Sequence, residues 1–146
     1  GMSYVTAPVW DRYGWVGRRA AELTFEQCGL GTKDVDFAEL YDPFSFEIIR
    51  QLEAFGFCKE GEGADFVLEG RIRIDSDLPV ATNGGIMSYS HAGVAQLLQK
   101  PISAVLQLQG RMPEELRLHE PKVALATNGG SGALFCDVIA LGKEPV

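Results

Sequence analysis

The chain has 146 residues, 46% of them hydrophobic and 23% charged, with a formal net charge of −7. That size and balance describe one globular domain with a core of its own and disfavour nucleic-acid binding, since a phosphate-binding face needs a basic patch. No apolar run approaches the roughly 20 residues needed to cross a bilayer and no signal-peptide pattern opens the chain, so a cytoplasmic protein without membrane contact is expected. Gly1 ahead of Met2 reads as a tag remnant, and residues 1–146 are taken as a single domain. Cys28, Cys58 and Cys136 are odd in number, widely spaced and set among apolar residues. They fit neither a disulfide framework nor a zinc spacing, and reduced core thiols are expected. Arg12, Arg18, Arg19, Arg71 and Arg73 read as solvated charges, with a small phosphorylated ligand as the alternative.

Tyr4–Ala7 is a short strand candidate, and Trp15–Cys28 has helical composition with Val16, Ala20 and Leu23 on one stripe, ended by Gly29. Asp34–Tyr41 alternates as a strand. In the "DPF" that follows, Asp42 is placed to cap a helix and Pro43 to occupy its first position. Phe44, Ile48, Leu52 and Phe55 then form a stripe that predicts burial, and Gly56 ends it. Cys58–Asp77 is a glycine-rich, acidic excursion, with a short strand near Arg71–Ile74. Leu78–Thr82 predicts a strand leading into the first of two copies of the pentapeptide ATNGG, at Ala81–Gly85 and Ala126–Gly130. A helix is expected over Gly93–Leu108, with Val94, Leu97, Leu98, Ile102 and Val105 on its apolar side and Pro101 kinking or dividing it. "KVALAT" and "GALFCDVIAL", separated by "NGGSG", read as an antiparallel hairpin.

Strands alternating with helices imply an α/β fold, a mostly parallel sheet covered by helices with the last strand antiparallel at or near an edge. Ligands of such sheets gather at the carboxyl ends of the strands, where Tyr41–Phe44, Asn83–Ala92 and Thr127–Ser131 should converge. Within those segments His91 is the leading candidate for chemistry. A neutral imidazole just ahead of a helix suits a general base or hydrogen-bond donor, and the alternative is a histidine that only caps or packs. Tyr41 either works beside it or simply packs, and Asp42 reads as a cap before an acid. Gly84–Gly85 and Gly129–Gly130 offer close backbone approach or N–H groups to an anion, although turn geometry alone would also call for them. His119 lies in a polar loop and reads as surface.

Three of these stretches, in order, resemble the C-terminal half of a thiolase, above all the sterol-carrier-protein type and the related lipid-transfer-protein aldolases. "DVDFAELYDPFSFEIIRQLEAFGFC" resembles the family's strand ending in His-Asp-Cys-Phe and the helix after it; "LPVATNGGIMSYSHAGVAQLL" resembles the Gly-His-Pro segment; "VALATNGGSGALFCDVIALGK" resembles the closing hairpin with its Cys-x-Gly turn. The resemblance runs from about Trp15 to Lys143 and implies a mixed, mostly parallel five-stranded sheet. It makes His91 the counterpart of the Gly-His-Pro histidine, although Ser90 and Ala92 replace its neighbours. Tyr41 stands at the family's histidine, Pro43 at the catalytic cysteine of the sterol-carrier type, and Thr127, Asn128 and Gly129 in a closing turn without cysteine.

Thiolase chemistry through an acyl-enzyme needs a thiolate, so the chain alone is not expected to be a thiolase. The aldolase relatives imply cysteine-free retro-aldol cleavage, with Tyr41 transferring a proton and His91 polarising the thioester carbonyl or holding the enolate. Coenzyme A thioester is then substrate, with no covalently bound cofactor and no metal. Substrate contacts would come from Asn83, Gly84, Gly85, Asn128, Gly129 and Gly130. The resemblance also implies a homodimer, or pairing with a subunit supplying the N-terminal half through the Gly93–Leu108 helix, and permits a zinc-containing OB-fold partner. The alternative is a non-catalytic remnant that binds acyl-CoA or scaffolds a partner enzyme.

Overall fold

The computed structural model describes residues 10–11, 14–89, 91, 98–130 and 135–144. A short antiparallel pair, β1 (Trp10–Asp11) and β2 (Gly14–Trp15), precedes α1 (Arg18–Cys28). Next come β3 (Phe37–Glu39), α2 (Ser45–Ala54), α3 (Gly63–Leu68), α4 (Gly85–Tyr89), α5 (Gln99–Leu108) and the closing strands β4 (Val123–Gly130) and β5 (Phe135–Gly142). The main sheet runs β3-β4-β5, with β3 parallel to β4 and β5 antiparallel at the edge, as the alternation of elements implied.

The five strands expected of the sheet are three among the described residues. Leu78–Thr82 contributes only an isolated parallel bridge between Val80 and Ala38. Pro79 has no N–H to donate and Ala81 turns to φ +50°, so the ladder cannot continue on either side of Val80. Arg71–Ile74 is a run of turns rather than a strand, with Arg73 N–H donating to Gly70 O. Tyr4–Ala7 lies outside the described residues.

Side chains alternate across the sheet and create two packing faces. Ala38, Leu40 and Leu125 join Ala21, Ile48, Leu52 and Phe55 in the larger core, under α1 and α2. Phe37, Ala124 and Ala126 meet Ala104 and Leu108 of α5 on the other side. The helical stripe foreseen in α1 is displaced: Val16 precedes the helix, Leu23 is 40% exposed, and Ala21 is the residue sealed inside. Phe44 also leaves its foreseen stripe. It stands ahead of α2 in extended conformation and is 63% exposed, while Ile48, Leu52 and Phe55 are buried as expected.

In α5 the polar side, not the apolar side, faces the sheet. Lys100, Ser103 and Gln107 are buried with Ala104 and Leu108, whereas Leu98, Ile102 and Val105 are exposed. The buried polar groups are tied down: Gln107 Nε2 donates to Thr82 Oγ1 and Leu116 O, and its Oε1 accepts from Leu118 N–H. Pro101 sits in the first turn of the described helix, where its missing N–H disrupts nothing, and residues 92–97 lie outside the described set. No helix among the described residues is long and apolar enough to cross a membrane.

This division of phenylalanine and leucine positions is measurable by urea unfolding. Leu52→Ala, at a fully buried site, is expected to lose about 2–5 kcal/mol. Phe44→Ala, at the exposed position, is expected to stay within about 0.5 kcal/mol of the parent.

Candidate functional site

The site forms where the end of β3, the first ATNGG segment with α4, and β4 come together. Tyr41 follows β3 and its backbone is closed into a ring of hydrogen bonds. Its N–H donates to Thr127 Oγ1 (2.8 Å), Thr127 Oγ1 donates to Gln51 Oε1 (2.6 Å), and Gln51 Nε2 donates back to Tyr41 O (2.6 Å). Thr127 and Gln51 are both buried, so these bonds are not shared with solvent. Thr127 belongs to the second ATNGG, and Gln51 projects from α2. Neither was singled out from the sequence as a support for Tyr41, because a glutamine on an amphipathic helix ordinarily reads as surface.

From that fixed backbone the phenol reaches His91, with Tyr41 Oη 3.1 Å from His91 Nε2 and the rings tilted at 49°. The two residues named from the sequence are thus a hydrogen-bonded pair 50 positions apart. His91 follows α4 by two residues, and the described part of α5 begins only at Gln99, so the pair is built at the exit of α4. Burial, and then the negative charges of Glu47 and Asp42, push the Tyr41 phenol above its ordinary value. Tyr41 is therefore a neutral phenol at neutral pH and needs an acceptor before it can act as a base.

Asp42 is not the cap of α2. It turns instead toward the first ATNGG segment, where its carboxylate accepts the N–H groups of Ile86 (2.9 Å) and Met87 (3.3 Å) in α4. α2 starts from Phe44 without a side-chain cap, because Asp42 is already engaged across the site. Lys100 of α5, fully buried, closes on the same carboxylate at 2.6 Å and lies 3.9 Å from Glu39 Oε2. Glu39 Oε1 accepts from the Thr82 hydroxyl and N–H, and burial pushes the Glu39 carboxyl upward in spite of Lys100.

The two ATNGG copies are different structures. In the first, Gly84 N–H donates to Ala81 O and Gly85 N–H to Asn83 Oδ1, while Asn83 Nδ2 donates to Ser103 Oγ. Gly85 has φ +68°, and a side chain there would run into the Asp42 carboxylate. In the second, Asn128, Gly129 and Gly130 continue β4 opposite Asp137, Cys136 and Phe135, so the hairpin turn starts later than "NGGSG" suggested. Asn128 is buried with its Oδ1 lacking a hydrogen-bond partner. By alternation it follows Ala124 and Ala126 on the α5 side of the sheet.

All three cysteines are free and partly buried. Burial pushes Cys58 up to about 11 and Cys136 up to about 12, so neither presents a thiolate at neutral pH. The described arginines find local partners: Arg18 pairs with Glu60, Arg19 with Glu22 and Glu26, Arg73 with Asp75, and Arg71 lies 4.0 Å over the Phe66 ring. Arg12 lies outside the described residues, and His119 is exposed in its loop.

Residues 15–142 match the family model described as "Thiolase C-terminal domain-like", and the chain belongs to that family. It is 40% identical over 87 residues to the 17-hydroxy-3-oxo-4-pregnene-20-carboxyl-CoA lyase of Mycobacterium tuberculosis, covering 57% of this chain and 22% of the lyase. It is 29% identical over 121 residues to the benzoylsuccinyl-CoA thiolase subunit BbsB of Thauera aromatica, covering 80% of this chain and 30% of that subunit. Among solved structures it is similar to the Ltp2-ChsH2(DUF35) aldolase, with a TM-score of 0.74 and 28% identity over 86% of this chain and 31% of that one. The chain thus spans less than a third of the length of these relatives.

The raised phenol has a thermodynamic consequence. The folded state holds the Tyr41 proton more tightly than the unfolded state, so this contribution is complete below about pH 10 and is lost as pH rises through the raised folded value. Alkaline unfolding followed by circular dichroism is expected to show stability falling above about pH 10, with a shallower fall in Tyr41→Phe.

Proposed function

We propose that this chain is the C-terminal half of an enzyme that makes or breaks a carbon–carbon bond in a coenzyme A thioester, by retro-aldol cleavage of a β-hydroxyacyl group. The observation that carries the reading is the 3.1 Å contact between Tyr41 Oη and His91 Nε2. In the cleavage direction Tyr41 Oη takes the β-hydroxyl proton as its own proton passes to His91 Nε2. The oxygen's electron pair forms the new carbonyl, the Cα–Cβ bond breaks, and its electrons move into the thioester as an enolate. The imidazolium beside it stabilises that charge, and the proton returns to Cα. The raised phenol explains why a histidine is paired with it: a neutral tyrosine becomes a base only when its proton has somewhere to go.

Asn128, buried with an unengaged carbonyl oxygen, is the substrate contact this reading favours first. Asn83, Gly84 and Gly85 would act by shaping the turn, and Gly129 and Gly130 by leaving room over the strand. Support for a CoA ester comes from the relatives, whose names are those of a CoA lyase and a CoA thiolase subunit. The exposed Leu98, Ile102 and Val105 stripe is assigned to contact with an N-terminal thiolase-like half or with a second copy of the chain, since an apolar face with its polar side already buried is suited to an interface. A zinc-containing OB-fold protein is a further partner that the resemblance to lipid-transfer-protein aldolases suggests.

Co-expression with a chain supplying the N-terminal half, followed by an acyl-CoA cleavage assay, tests the reading. Tyr41→Phe and His91→Ala are each expected to lower kcat by about 10²–10⁴. Full rate in both variants would remove the pair from the mechanism. CoA-ester binding without turnover would favour the non-catalytic reading, for which the raised thiols of Cys58 and Cys136 are the supporting observation. Ile102→Asp is expected to abolish the complex in sedimentation velocity while the chain stays folded, and a complex unchanged by it would place the interface elsewhere.

A further inference from the structure

Asp42 joins three elements at one carboxylate. It follows Tyr41 directly after β3, accepts two N–H groups from α4, and pairs with Lys100 of α5 at 2.6 Å. Both partners are almost completely removed from solvent, Asp42 at 1% and Lys100 at 0% exposure. An ammonium buried to that extent is costly unless its counter-charges are well placed, and here Asp42 and Glu39 provide them. The α4 backbone is pressed onto the same group, since the site at Gly85 admits no side chain beside the Asp42 carboxylate. α4 in turn ends two residues before His91. The phenol is fixed from one side through the Thr127–Gln51 ring, and the imidazole reaches it from the segment that Asp42 holds.

We infer that Asp42, anchored by Lys100, is the positioning residue of the Tyr41–His91 pair: it sets the place of α4 and thereby the distance from imidazole to phenol. The inference rests on the proposed role of that pair only for its significance, because the geometry it concerns can be read without turnover. A charge in this position does what a neutral cap cannot. The carboxylate accepts from two amides and pairs with the ammonium at once, so loss of its charge leaves Lys100 with only Glu39 at 3.9 Å and weakens the hold on α4.

The test uses the full chain labelled with ¹⁵N and correlation spectra of the imidazole. Tyr41→Phe supplies the His91 signal without the phenol bond. Asp42→Asn is expected to move the His91 ring resonances to the Tyr41→Phe position while amides of β4 and β5 stay in place. Because a buried lysine that loses its nearest counter-charge can unfold a protein, the double variant Asp42→Asn with Lys100→Met removes both charges together. It is expected to fold and to show the same displaced His91 signal. Wild-type His91 resonances in a folded Asp42→Asn or double variant would overturn the inference. So would a wild-type signal identical to that of Tyr41→Phe, or failure of the double variant to fold, since the charges would then be serving the whole core. Failure of the acyl-CoA assay with wild-type resonance behaviour as expected would count against the catalytic reading alone.

Discussion

The contact between the Asp42 carboxylate and the Lys100 ammonium is the point on which the arrangement of the site depends. It lies where β3 ends and α4 begins, against the first turn of α5, and is almost completely removed from solvent. Around it, polar groups that would ordinarily face water are turned inward: Glu39 to Thr82, Asn83 to Ser103, Gln107 to Thr82 and Leu116. A core of this kind contributes less to net stability than an apolar one would, because desolvation offsets much of the Coulombic gain. What it provides is a set of directional contacts that tie β3, the first ATNGG segment and α5 together.

The inversion of α5 follows from the same constraint. With Lys100, Ser103 and Gln107 committed to the interior beside Ala104 and Leu108, Ile102 and Val105 are turned outward. The chain spans under a third of its relatives' length, and α5 exposes an apolar stripe on the side opposite its buried polar residues. Burial raises the thiols of Cys58 and Cys136, so the ionisable pair at the candidate site is the phenol and imidazole of Tyr41 and His91.

Much of the site was legible because topology decides where strand ends meet. The convergence of Tyr41, the first ATNGG segment and Thr127 follows from a parallel pairing of β3 with β4, and that pairing follows from the alternation of strand and helix patterns. Other features were hidden for identifiable reasons. Hydrophobic periodicity says which residues of α5 share a face but not which face meets the sheet, and a lysine in a helix reads as solvated. Asp42 ahead of Pro43 carries every local sign of a helix cap, and only the tertiary position of Ile86 and Met87 draws it away. The two ATNGG copies look alike in sequence, yet one is bent by left-handed glycines and the other drawn straight by the ladder with β5.

Tyr41 and His91 are proposed to act as one unit. A double-mutant cycle on turnover in the assembled enzyme tests it most directly, combining Tyr41→Phe with His91→Ala. The account predicts that the double variant loses little more than either single one, a coupling of at least about 1 kcal/mol between the two sites. Losses that add to within about 0.5 kcal/mol would show two independent residues and contradict it.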